Sequence, residues 1–303
     1  MKKFFIKIVI FFVIVLVVDK SIGASLDYMR DNARSGYNKE LNYVFNQVCP
    51  DILILGSSRA LHHYVPEILE DSLNMTCYNA GSNACSIIPM YCRFRNIAKR
   101  KNPKIIIYEV YSETDYFINE ISRNEDDVRI YYDNDEVGKV YDDVKPDDRL
   151  KMISSLYRYN SKFGNTIGAF LIESQLSQLK SKGYSPFEGE ITRDPLKIET
   201  HIGDVDSVKM KYLIQLIKQT RERGIKLVFT ISPWYKCPND EEYKILSQLS
   251  EQYGIPLISH LKDERFIYNR TFFTDQSHLN DKGARKYTKT IVSELKKIIE
   301  DAK

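Results

Sequence analysis

Short, mainly apolar runs recur along the chain, and the first of them is closed by Gly56. They occupy residues 51–56, 75–79, 104–110, 225–231 and 254–258. Runs of this length and apolar composition are typical of strands buried on both faces of a parallel sheet. Segments with helical character separate or follow them, at residues 59–72, 86–101, 207–223, 240–253 and 281–300. The alternation predicts an α/β fold with a five-stranded parallel sheet and right-handed crossovers.

The N-terminus has a different pattern. Met1-Lys2-Lys3 precedes an apolar run at residues 8–18, which Asp19-Lys20 ends. A basic start and a short apolar stretch predict an export signal whose lysines stay inside, so that the rest of the chain is periplasmic or extracellular. The run is short for a membrane span, which needs about 20 residues. A cleaved signal peptide is the alternative, but the small residues at 23–25 follow the charged Asp19-Lys20 and form no A-x-A cleavage site. We therefore expect residues 1–20 to be an uncleaved, single-pass transmembrane signal-anchor, and the polar residues 21–48 to be a stalk or lead-in helix.

A long segment interrupts the strand-helix rhythm at residues 116–205. It is first acidic and rich in tyrosine and asparagine, then helical over residues 150–179, and it closes on a loop at 182–186. We interpret it as an insertion that caps or flanks the active-site edge of a domain formed by residues 49–303. Its acidic stretches lack the alternate ligand spacing and glycine of an EF-hand, which favours a solvated surface over a calcium loop.

Composition excludes some classes of function. The 44 basic and 41 acidic residues nearly balance, at a net charge of +3, and no concentrated basic face indicates a nucleic-acid partner. The 21 tyrosines suit a groove for sugars or peptides, or are a compositional habit of the chain. The five cysteines are odd in number and lack zinc-site spacing, which favours small buried side chains.

Two polar clusters follow predicted strands or precede the last helix. Ser58 stands in Gly56-Ser57-Ser58-Arg59, where a strand turns into a helix and both the hydroxyl and its own N–H face the same space. Asp275 and His278 are three residues apart, so the carboxylate is able to hold the imidazole in one tautomer. Each pattern alone is equally typical of a helix cap. Because the carboxyl ends of parallel strands meet at one edge, we predict a triad of Ser58, His278 and Asp275.

Three segments resemble the SGNH (GDSL-like) hydrolase superfamily. Gly56-Ser57-Ser58 resembles the nucleophile block in its Gly-Ser-Ser form, as in membrane-anchored proteins of D-alanylation and alginate O-acetylation. Asn79-Ala80-Gly81 resembles the second block, and Asp275-Gln276-Ser277-His278 before the final helix resembles the last. The resemblance covers residues 50–115 and 205–300.

The resemblance implies a flavodoxin-like, three-layer α/β/α sandwich and ester hydrolysis or acyl transfer, without metal or cofactor. It makes Ser58 the nucleophile and gives the N–H groups of Ser58 and Gly81 to the oxyanion hole. The superfamily's third block, Gly-x-Asn, is missing after the third strand. Asn83, Ser112 and Tyr111 remain as alternative third donors.

Further residues near the predicted edge are candidates for binding. Arg59 is suited to an anionic substrate group or to a surface salt bridge, and Tyr111 and Trp234 to lining an acyl or sugar pocket. His62-His63 is interpreted as a polar helix face, with a substrate contact as the alternative.

Two functions remain open from the sequence. The first is a serine esterase or O-acyltransferase acting on acyl esters of cell-envelope glycans, with an envelope polysaccharide or acyl donor and a membrane acyltransferase as partners. The second is a catalytically impaired binding or scaffold protein of the same fold. The missing third block favours the second, and the retained Ser58, Asp275 and His278 favour the first.

Overall fold

The computed structural model describes residues 1–118, 125–174, 181–193, 203–236 and 240–300. The chain divides into two compact units. The first comprises Met1–Gln47 and the described part of Glu125–Leu176, and the second comprises the described parts of Val48–Asn124 and Ser177–Lys303. The α-helices in chain order are α1 (Lys2–Asp31), α2 (Gly36–Asn46), α3 (Ser58–His63), α4 (Pro66–Leu73), α5 (Ile87–Arg100), α6 (Ser112–Asp115), α7 (Glu125–Val128), α8 (Asp135–Val144), α9 (Ser155–Arg158), α10 (Phe163–Leu171), α11 (Ser207–Glu222), α12 (Lys244–Tyr253), α13 (Glu264–Ile267) and α14 (Asp281–Glu300).

The second unit contains a parallel sheet of five strands in the order β2-β1-β3-β4-β5. The strands are β1 (Ile52–Gly56), β2 (Cys77–Asn79), β3 (Ile105–Glu109), β4 (Lys226–Ile231) and β5 (Leu257–Ser259). Their register pairs Gly56 of β1 with Glu109 of β3, and Glu109 with Thr230 of β4. This result confirms the predicted α/β fold and its five-stranded parallel sheet.

Helices cover both faces of this sheet, because every second strand residue points to each face. On one face Ile54, Ile107 and Val228 pack in a core with Leu69 of α4 and Ile291 of α14. On the other face α5 and α11 pack against each other and against β1 and β4. The sheet is therefore buried on both sides, as its continuous apolar strands predict.

The helix predicted at residues 59–72 is wrong in one respect. It is two helices, α3 and α4, separated by Tyr64 and Val65 in extended conformation. The residue before a proline avoids helical geometry, and Pro66 suits the first position of a new helix. The break turns the chain sharply just beyond the predicted nucleophile.

The first unit is helical, and α1 packs against α2, α9 and α10. The carboxylate of Asp19 accepts hydrogen bonds from the Ser155 N–H at 2.8 Å and the Leu156 N–H at 3.0 Å, which caps the start of α9. At Gly23 an added Cβ would lie 2.1 Å from the Ser155 Cβ, so this position needs glycine for close packing. The predicted helical segment 150–179 contains α9 and α10, and its residues 175–179 lie outside the described ranges.

The apolar residues from Phe4 to Val18 lie on α1, where most of them are exposed. Across the described ranges, none of the helices combines the length and the apolar character that a membrane crossing requires. The domain boundaries and the localisation given above stay predictions.

Candidate active site

The turn that carries Ser58 depends on a glycine. Gly56 ends β1 with φ of +139°, and an added Cβ would lie 2.4 Å from the carbonyl oxygen of Glu109. A side chain at this position would be strained and would collide with β3. Helix α3 begins at Ser58 immediately afterwards. The Ser58 N–H therefore lies in a first turn, where helix geometry provides no intrahelical acceptor.

A second turn, before α14, carries Asp275 and His278. The Asp275 Oδ1 accepts hydrogen bonds from the backbone N–H of Ser277 at 2.8 Å and of His278 at 2.9 Å. These bonds curl the chain so that Asp275 Oδ2 lies 2.8 Å from His278 Nδ1. The three-residue spacing therefore places the carboxylate beside the ring through a turn, without a helix.

The two turns meet at the carboxyl edge of the sheet, where Ser58 Oγ lies 2.8 Å from His278 Nε2. Because a carboxylate can only accept a hydrogen bond, His278 Nδ1 carries the ring proton and donates a hydrogen bond to Asp275. Nε2 is then free to accept the Ser58 hydroxyl proton. This is the arrangement that activates a serine nucleophile.

The electrostatics of the pair agree with this assignment. Partial burial raises the pKa of Asp275, but hydrogen bonds from His278 and from the Ser277 and His278 N–H groups outweigh it and hold the pKa below its usual value. Asp275 is thus an anion at neutral pH. Its side chain is 54% exposed and that of His278 is 20% exposed, so the site is open to solvent.

The predicted oxyanion donors are only partly assembled. Gly81 follows β2 as expected, but its N–H donates to Asn79 Oδ1 at 3.0 Å. An added Cβ at Gly81 would lie 2.6 Å from the Leu61 nitrogen, so this glycine lets the loop approach α3 closely. The structure therefore gives Gly81 a packing role and an N–H that already has an acceptor.

The alternative donors differ in accessibility. Ser112 is buried, and its Oγ donates to Glu242 Oε2 at 2.9 Å. Asn83 is exposed, and its Oδ1 lies 2.9 Å from His62 Nε2. Of these two side chains, only that of Asn83 is accessible from solvent.

Arg59 does not lie in an open pocket. It is 1% exposed, and its Nε lies 3.2 Å from Glu109 Oε1. Its guanidinium also donates to Ser232 Oγ at 3.0 Å and to Tyr243 OH at 3.1 Å. The expectation of an anion-binding or surface arginine is thus corrected, because Glu109 at the end of β3 is fully buried and needs a buried cation.

Tyr111 and Trp234 lie together, with ring centroids 6.1 Å apart. The Arg59 guanidinium lies over both rings, 5.9 Å and 5.7 Å from their centroids. Trp234 is buried and Tyr111 is half-buried. Their role in binding substrate stays a prediction.

Sequence reasoning missed the importance of His62 and Phe187. His62 is 2% exposed, which corrects the polar-face interpretation, and its ring stacks on Phe187 at 3.6 Å. Phe187 also meets His278 edge to face at 5.4 Å. The predicted loop at residues 182–186 directly precedes Phe187 and was the available signal. The segment 181–193 therefore does lie beside the candidate site.

The described residues contain no group of three or more His, Cys, Asp or Glu side chains arranged to hold a metal ion.

Comparisons with known proteins add little to this picture. No protein-family model and no curated protein matches the chain. Among solved structures, a protein assigned to the lipolytic G-D-S-L family from Desulfitobacterium hafniense DCB-2 is 10% identical to this chain, with a TM-score of 0.41. The match covers 82% of this chain and 98% of that protein. The acetyl xylan esterase AlAXEase is 13% identical, with a TM-score of 0.38, and the match covers 81% of this chain and 98% of the esterase. Structural similarity at this level does not indicate a function for this chain, so any proposal depends on the geometry of Ser58, His278 and Asp275.

Proposed function

We propose that the protein is a serine esterase or O-acyltransferase of the SGNH type, in which Ser58 forms an acyl-enzyme intermediate. The observation that carries this proposal is the contact of Ser58 Oγ with His278 Nε2 at 2.8 Å, with Asp275 on the opposite ring nitrogen. The two turns are more than two hundred residues apart in the chain. Two unrelated helix caps would have no reason to align their side chains in this order.

In the proposed reaction His278 takes the proton of Ser58 as Oγ attacks the acyl carbon. The tetrahedral oxyanion faces the N–H of Ser58, and the exposed Asn83 and the half-buried Tyr111 are the alternative side chains for a further donor. His278 then returns the proton to the leaving alkoxide, and water or a second hydroxyl releases the acyl group by the same steps.

The test is covalent labelling of the protein with a fluorophosphonate probe, followed by identification of the labelled peptide. Wild type is expected to label at Ser58, and Ser58→Ala is expected to lose labelling by at least about 10³-fold. The matched control is Ser57→Ala, which removes the neighbouring hydroxyl and should still label. If wild type and Ser58→Ala behave alike, the protein is instead a binding or scaffold protein with an impaired site, which the occupied Gly81 N–H favours.

We propose that the substrates are acyl esters of extracytoplasmic, cell-envelope glycans and that α1 attaches the protein to the membrane. Support comes from α1, whose residues Phe4 to Val18 present exposed apolar side chains on all sides. Leu150 and Ile153 are 79% and 59% exposed, and the Ile153 carbonyl accepts a hydrogen bond from Lys20 at the end of the apolar run. The exposure of these apolar side chains supports attachment of this unit to a membrane.

Membrane attachment is testable by flotation of the full chain with phospholipid vesicles. Val13→Asp places a charge in the apolar run and is expected to weaken binding by about 10²-fold, since a central charge costs about 2.5–3.5 kcal/mol. Tyr28→Asp, on the exposed polar half of the same helix, is the control. Equal flotation of wild type and both variants would contradict attachment through the apolar run.

A further inference from the structure

His63 is a buried histidine that contacts the backbone of the His278 turn and meets the His278 ring edge to face, with ring centroids 6.1 Å apart. It is fully buried, and its Nε2 accepts a hydrogen bond from the Leu279 N–H at 2.9 Å. Leu279 directly follows His278. Because an N–H can only donate, Nε2 of His63 must be unprotonated, and the ring proton must lie on Nδ1.

The proton on Nδ1 continues into a directed chain of hydrogen bonds. His63 Nδ1 donates to Ser232 Oγ at 2.7 Å, and Ser232 Oγ donates to Glu109 Oε1 at 2.6 Å. Arg59 balances the charge of this carboxylate. The end of β3 is thereby connected through one ring to the backbone beside His278.

The same hydrogen-bond network also holds helix α3, which carries Ser58. Arg59 directly follows Ser58 on α3, and His63 ends that helix. The hydroxyl of Thr288 on α14 also donates to the His63 carbonyl oxygen at 3.1 Å. The Ser58 turn and the His278 turn are thus anchored to one buried group, although they lie in different parts of the sequence.

We infer that His63 is a positioning residue, which sets the distance between Ser58 Oγ and His278 Nε2 by holding the Leu279 N–H. The inference rests on the proposed serine chemistry. A shift of about 1 Å in such a contact is enough to cost about 10²-fold in rate.

The neutral state of His63 is part of this role. The charged and titratable groups around it are Arg59, His62 and His278, with Glu109 reached through Ser232. Burial, together with Arg59 and the two other histidines, holds the pKa of His63 well below its usual value. A protonated Nε2 would face the Leu279 N–H as a second donor and would release the turn.

A matched pair of substitutions separates positioning from simple packing. In His63→Gln the side-chain Oε1 reaches about as far as Nε2 of the histidine and can accept a hydrogen bond from the Leu279 N–H. In His63→Asn the shorter amide reaches only the position of Nδ1, so the hydrogen bond to the Leu279 N–H is lost. The saturating labelling rate and the half-saturating concentration of a fluorophosphonate probe are measured for each. We expect H63N to lose about 10- to 100-fold in the saturating rate at unchanged half-saturation. H63Q should stay within about tenfold of wild type.

Equal rates for H63Q and H63N, or a wild-type rate in H63N, would overturn the inference. If H63N does not fold, Ser232→Ala is used instead, because it removes the acceptor of the His63 Nδ1 proton and leaves the His63 ring in place. This variant should lower the saturating rate, and an unchanged rate overturns the inference. If wild type itself does not label, the proposed function fails instead. Hydrogen exchange of the Leu279 amide then tests the anchor alone: it should be faster in H63N than in H63Q, and equal exchange counts against it.

Discussion

Two neighbouring groups of polar residues in the sheet-containing unit differ in almost every physical respect. We call Ser58, Asp275 and His278 the surface triad, and Arg59, His63, Glu109 and Ser232 the buried cluster. The members of the surface triad are all partly exposed and lie on turns. Those of the buried cluster are at most 1% exposed: Glu109 ends β3, Ser232 follows β4, and Arg59 and His63 lie on α3.

In the proposed active site the two groups have different tasks. A nucleophile and its base must meet substrate, so they cannot be fixed by surrounding packing. A buried, fully paired group is rigid, because moving any member leaves a charge or polar atom unsatisfied at a cost of several kcal/mol. Arg59 directly follows Ser58, and Leu279 directly follows His278. The buried cluster therefore fixes the backbone next to both exposed side chains.

The largest expected effect is on activity alone. Asp275→Asn removes the acceptor that holds the His278 Nδ1 proton, so the ring loses its tautomer preference and the labelling rate of Ser58 should fall by about 10³- to 10⁴-fold. The free energy of unfolding should change by less than about 1 kcal/mol, since the carboxylate is half exposed. Probe labelling and urea denaturation measure the two quantities. A large loss of stability would contradict the division of tasks.

The reverse pattern is expected in the buried cluster. Glu109→Ala leaves the Arg59 charge buried without its partner and should lower the free energy of unfolding by about 3–5 kcal/mol. Glu109→Gln is the control, because it keeps the shape and part of the hydrogen bonding. Denaturant unfolding compares the three proteins. Wild-type stability in Glu109→Ala would show that the ion pair does not anchor this region.

A smaller, pH-dependent effect is expected at Asp115, a buried carboxylate that accepts from Tyr108 OH and the Tyr111 N–H. Burial outweighs these hydrogen bonds and raises its pKa to about 7. The native state then keeps a proton that the unfolded chain loses near pH 4, so stability falls as pH rises from about 4 to 7, by at most about 1.4 kcal/mol per unit.

Asp115→Asn removes this titration. The stability of the variant relative to wild type should therefore increase with pH across that window, as followed by urea unfolding at several pH values. A relative stability that is independent of pH would mean that Asp115 has an ordinary pKa in the folded protein.

Much of the α/β fold was predictable because its strands are apolar on both faces and its helices repeat apolar residues at helical spacing. The bounds of β1, β3, β4 and α14 agree with the predicted segments to within a residue or so. The break between α3 and α4 was also present in the sequence as Pro66, but the apolar pattern continues through it. Local patterns therefore predicted which elements form better than where each one bends.

The sequence by itself determined the parallel sheet and the two turns that carry Ser58, His278 and Asp275, since strand ends and i,i+3 spacing are local properties. Only the tertiary structure decided which other polar residues surround them. Arg59 and His63 look like surface residues along the chain, and Glu109 lies at the end of the third strand, after which the superfamily's third block is missing. They are buried because the charges of Arg59 on α3 and Glu109 on β3 neutralise each other, while Ser232 after β4 completes their hydrogen bonds. Such long-range pairing leaves no periodic trace in a single sequence.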